Sequence, residues 1–105
     1  MNKRIRKKQL KKLGKYIPHS DTYNLDMTIA QFVLPRLELF KNLTDCYPDR
    51  DGCHSYEEWM NILDKMIKAF SIISKSAGIT RNRDEIQILE EGLDLFRKHY
   101  LDLWW

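Results

Sequence analysis

Cys46, Cys53 and His54 fall in one short segment with Asp49, Asp51 and Glu58 around them, the residue types that hold metals or attack electrophiles. Thiolates and an imidazole so close together would suit zinc, with His19 or His99 completing the tetrahedron. The spacing argues against it. Structural zinc sites pair their ligands about two to four residues apart, and six residues separate these cysteines. Calcium fares no better. Asp49-Arg50-Asp51-Gly52 followed by Glu58 is most of an EF-hand loop, but the first ligand position falls on Tyr47, followed by Pro48, where a carboxylate is required. A nucleophilic cysteine would need a base and an orienting group, which spacing alone does not place. The chain contains no Gly-rich phosphate loop, no His-Glu-x-x-His and no nucleophile elbow. The expectation is a non-enzyme with no catalytic residue, no metal and no cofactor.

Binding chemistry is better represented. The first fifteen residues hold eight cations (Lys3, Arg4, Arg6, Lys7, Lys8, Lys11, Lys12 and Lys15) and no acid. Residues 16–105 carry ten cations against fifteen acids, so a +8 arm precedes a −5 body. An arm of this kind, disordered or facultatively helical, meets something anionic. Nucleic acid is the first partner to consider, bound through phosphates in a salt-dependent, sequence-independent way. A solvated leader or a polybasic membrane-surface anchor would have the same composition. Ile5, Leu10 and Leu13 make a weak apolar face, and cations and polar residues separate them too widely for a secretory signal.

These residues need elements to position them. With 105 residues, 43% apolar and 31% charged, there is room for a basic arm over residues 1–16 and one helical bundle domain over 17–105. No apolar run is long enough to span a membrane. The two cysteines suit free thiols in a reducing cytosol. Three stretches repeat apolar residues at helical spacing, which predicts an all-α compact bundle of three to four helices. The first, Asn24 to Leu43, aligns Leu25, Ile29, Phe32, Val33, Leu37, Phe40 and Leu43, with Asp21 or Asn24 as N-cap. Pro35 should kink or split it. Turn chemistry follows at Tyr47-Pro48 and Asp51-Gly52.

Ser55 with Glu58 reads as a capping box opening the second helix. Its stripe is Trp59, Ile62, Leu63, Met66, Ile67, Phe70 and Ile73, closed by a glycine cap at Ala77-Gly78. The third helix, about Asp84 to Leu103, sets Ile86, Leu89, Leu93, Phe96, Tyr100 and Leu103 in a near coiled-coil seam. Ile88, Leu95, Leu101, Trp104 and Trp105 fall beside that seam, an apolar excess that marks an interface. A homo-oligomer is therefore expected, with Trp104 and Trp105 meeting a partner surface.

The run from Tyr23 to Phe40, the block Glu57-Glu58-Trp59, the segment Ile62 to Phe70 and the closing Glu91 to Phe96 with Leu103-Trp104 resemble small uncharacterised proteins of tailed bacteriophages. The resemblance covers most of residues 23–105. It implies a phage origin, and so the cytoplasm of an infected bacterium, more than a mechanism. Asp26, Arg36, Asp64 and Lys65, polar residues inside those blocks, become candidates for a functional surface. The leading expectation is an accessory protein that occupies or sequesters a host factor, either a defence protein or a small anionic nucleotide signal. The rival is a nucleic-acid-associated protein that binds DNA or RNA through the arm.

Overall fold

The Ser55 hydroxyl starts a helix as its spacing predicts. The computed structural model, which describes residues 2–75 and 81–104, has the Glu58 N–H donating to Ser55 Oγ at 3.1 Å. The return arm of the box is displaced by one residue, for the Glu58 carboxylate accepts from the His54 N–H at 3.0 Å. A second box opens the last helix. The Glu85 N–H donates to Asn82 Oδ1 at 2.8 Å, and the Asn82 N–H donates to Glu85 Oε1.

The described residues form four α-helices: α1 Lys3–Lys12, α2 Leu25–Leu43, α3 Tyr56–Lys75 and α4 Arg83–His99. Single 3-10 turns cover His19–Thr22 and Tyr100–Asp102, and there is no β-strand among the described residues. The all-α bundle expected from periodicity is the observed class. α2 runs through Pro35 as one helix, so it is kept whole rather than split. α4 stops at His99, four residues before the expected Leu103, and the chain tightens into a 3-10 turn. The anticipated cap at Ala77-Gly78 lies outside the described residues.

α3 is the centre of the bundle. It buries Trp59, Ile62, Leu63, Met66, Ala69 and Phe70, while α2 contributes Ala30 and Leu37 and the preceding loop contributes Cys53. Lys41 pairs with Asp64 and Lys65 with Glu91 across the two helix interfaces. Both pairs are about half exposed, so they set register more than they add stability. α2 and α4 both pack on α3, but no Cα of one comes within 8 Å of the other. α1 approaches no other helix at all. The radius of gyration is accordingly 17.4 Å, against about 13 Å for a compact chain of this length.

The expected seam of α4 needs a correction. Ile86, Leu93 and Tyr100 are 45%, 40% and 59% exposed, whereas the buried positions of α4 are Gly92 and His99. The ridge against α3 therefore lies one position to the side. Gly92 is the reason: a Cβ there would stand 2.6 Å from the Lys65 carbonyl oxygen, so only glycine lets the backbones approach along this line. The α2 stripe divides in the same way. Leu37 is buried and Val33 and Phe40 pack against the core, but Leu25, Ile29, Phe32 and Leu43 are exposed.

Candidate binding surfaces

Because α2 and α4 flank α3 without meeting, an apolar groove opens between them. It has a volume of about 240 Å³ and is lined by Phe32, Val33, Arg36, Leu37 and Phe40 of α2 with Phe96 of α4 and Leu103 beyond it. Phe96 fixes the α4 wall by edge contacts to Phe70 and Tyr100, with ring centroids 4.9 and 5.5 Å away. Among the described residues of the lining, Arg36 alone is charged. Its guanidinium lies 3.6 Å from the centroid of Phe32 and its Nη1 donates to the Phe32 carbonyl at 2.9 Å. A cation over an aromatic face, tied to the backbone, leaves Phe32 in a defined position. Phe32 is nonetheless 59% exposed.

Of the candidate residues Asp26, Arg36, Asp64 and Lys65, the structure brings only Arg36 to this groove. Asp64 and Lys65 are engaged in the interhelical pairs with Lys41 and Glu91, and Asp26 sits in the exposed first turn of α2, where a carboxylate favours the helix dipole. Trp104 is 74% exposed and lines a separate small cavity with Thr44, Cys46, Tyr47, Pro48 and Asp102. Trp105 lies outside the described residues.

Lys3, Arg4, Arg6, Lys7, Lys8, Lys11 and Lys12 all lie on α1 and are all exposed. None takes part in an ion pair among the described residues. The arm is better formed than its composition suggests. The Ile5 N–H donates to Asn2 Oδ1 at 2.9 Å, capping the start. Gly14, at φ +70, closes the end: its N–H donates to the Lys11 carbonyl at 3.0 Å and the Lys15 N–H to the Leu10 carbonyl at 2.8 Å. This pair of bonds is a Schellman motif. Asn2 and Gly14 were the readable signals for it.

In the cysteine and histidine segment the side chains point to different surroundings, and among the described residues no three of His, Cys, Asp and Glu gather where a metal ion could be held. Cys46 is exposed and Cys53 buried, and His54 faces Asp49 at 3.2 Å across an exposed loop. Burial, reinforced by Glu58, pushes the Cys53 thiol up, the reverse of what an attacking thiolate needs. His99 is fully buried, which its place among the charges at the end of α4 concealed. Its Nδ1 lies 3.0 Å from Asp102 Oδ2, and Asp102 Oδ1 accepts from Arg50 at 3.1 Å. The ring stands edge-on to Trp59 at 5.4 Å, and its Nε2 has no hydrogen-bond partner among the described residues. This chain of groups ties the last turn to the α2–α3 loop. No protein-family model, no curated protein and no solved structure matches the chain.

Proposed function

We propose that the protein is a small binding protein, without chemistry of its own, that holds an apolar helix of another protein in the groove between α2 and α4. The observation that carries this reading is the separation of those two helices, which leaves the groove open where a further helix would complete the bundle. Helix-in-groove recognition uses just such a lining, with anchors at spacings of three and four residues. The apolar walls suit a protein segment better than an anionic nucleotide, for which Arg36 alone would supply charge. With the phage resemblance, the partner is a host factor in the cytoplasm of an infected bacterium, and binding would sequester it.

The experiment is capture from infected cells with the wild-type chain and with a Phe32→Glu variant. This side chain lines the groove and is exposed, so circular dichroism should be unchanged while a groove-bound partner is lost. A partner retained equally by both chains would reject the groove. Self-association is the competing use of the same surface. Light scattering at micromolar concentration separates the two, because a mass of twice 12.7 kDa that the Phe32→Glu variant halves would put a second copy in the groove.

A second reading has its own observation. The cations of α1 are exposed, free of ion pairs among the described residues and held on a capped helix that stands clear of the bundle. That arrangement favours nucleic-acid binding by the arm.

A further inference from the structure

The Schellman turn at Gly14 does more than end α1. It sends the chain back along the helix, where the Tyr16 N–H also approaches the Leu10 carbonyl, at 3.2 Å. The Tyr16 ring then lies beneath two ammonium groups, Lys7 Nζ at 5.1 Å and Lys11 Nζ at 5.3 Å from its centroid. Around it opens a cleft of about 520 Å³, lined by Lys3, Arg6, Lys7, Leu10, Tyr16 and His19. That volume is within the range of sites that hold small organic ligands.

The charge in this cleft is all of one sign. The first acid in the sequence is Asp21, beyond every lining residue. Lys3, Lys7 and Lys11 succeed one another at four-residue intervals, which makes them neighbours on one helix face, and like charges so placed repel. An anion set between them removes the repulsion. The ring beside them supplies a flat apolar face, and the pairing of a cationic groove with an aromatic platform is how single strands are held without regard to sequence. Duplex bases, already stacked, cannot use the ring.

We infer that the Tyr16 cleft binds single-stranded nucleic acid, one base stacking on the Tyr16 ring while Lys3, Arg6, Lys7 and Lys11 hold the adjoining phosphates. The ammonium groups over the ring move onto the phosphates as the base enters. This rests on the arm reading and adds to it a preference for strand over duplex and a specific platform residue.

Fluorescence anisotropy with labelled single-stranded RNA, single-stranded DNA and a DNA duplex of equal length, at low salt, tests it on the full chain. The wild type should bind the single strands more tightly than the duplex. Tyr16→Leu keeps an apolar side chain in the cleft but removes the ring, and should weaken single-strand binding at least about fivefold with duplex binding unchanged. Tyr16→Phe should retain wild-type affinity. Lys7→Gln with Lys11→Gln should weaken all three ligands. Equal affinity for strand and duplex, or a Tyr16→Leu chain that binds strands like wild type, overturns the inference and leaves the arm reading standing. Absence of binding to any of the three, with binding only to anionic lipid vesicles, overturns both.

Discussion

Gly92 packs its bare Cα against α3 so closely that a Cβ there would stand 2.6 Å from the carbonyl oxygen of Lys65 and would also strike the Ala69 side chain. Ala is the better helix former by about 1 kcal/mol, so Gly92→Ala would stabilise an exposed helix. Here the clash with backbone wins. We expect a net loss of about 1–3 kcal/mol, read as a lower midpoint in urea unfolding, with Gly92→Val worse. A midpoint that rises with Gly92→Ala would contradict the close approach.

Asp102 joins Arg50 to His99, and His99 is wholly buried. Asp102→Ala leaves the His99 Nδ1 group buried without its partner, an expected cost of about 1–3 kcal/mol. Arg50→Ala removes only a half-exposed cation and should cost far less. Chemical unfolding of the two variants side by side gives the comparison, and equal losses would show that the ion pair rather than the His99 contact matters.

Removing residues 1–15 should leave the unfolding transition of the bundle unaltered, since α1 buries no residue and approaches no other helix. Nucleic-acid affinity should fall and lose its salt dependence, which amounts to as much as about −0.9 in the log–log slope for each phosphate met. A truncated chain that unfolds more readily would make the arm part of the core.

The cysteines should separate cleanly by alkylation. Cys46 is exposed and Cys53 is not, so intact-mass measurement should find one adduct on the native chain and two in denaturant. Burial raises the Cys53 thiol above its ordinary 9.0. The folded state therefore holds that proton more tightly than the unfolded one. Its contribution is complete below about pH 9 and is lost as pH climbs through the folded value. Cys53→Ala should flatten the decline in stability over that alkaline range, and an unchanged slope would place its cause elsewhere.

Much of the fold was legible because helices announce themselves locally. The period of apolar residues, the Ser55–Glu58 start and the turn residues before it were enough for an all-α chain whose central helix buries Trp59, Ile62, Leu63, Met66 and Phe70 of its expected stripe, with Ile67 and Ile73 partly buried. The pairing of Asn82 with Glu85, three residues apart, is equally local. Charge counting likewise isolated the arm, although the fold-back onto Tyr16 depends on a left-handed Gly14 that composition does not express.

The sequence by itself determined that each helix has an apolar face, and tertiary structure decided which edge of that face is covered. An apolar stripe spans some 100° of a helix, wide enough to contain both the line through Gly92 and His99 and the line through Ile86, Leu93 and Tyr100. Steric approach chose between them, since a helix settles where its smallest residue lets the backbones come closest. That choice left Ile86, Leu93 and Tyr100 exposed and buried a histidine that the pattern had placed among surface charges.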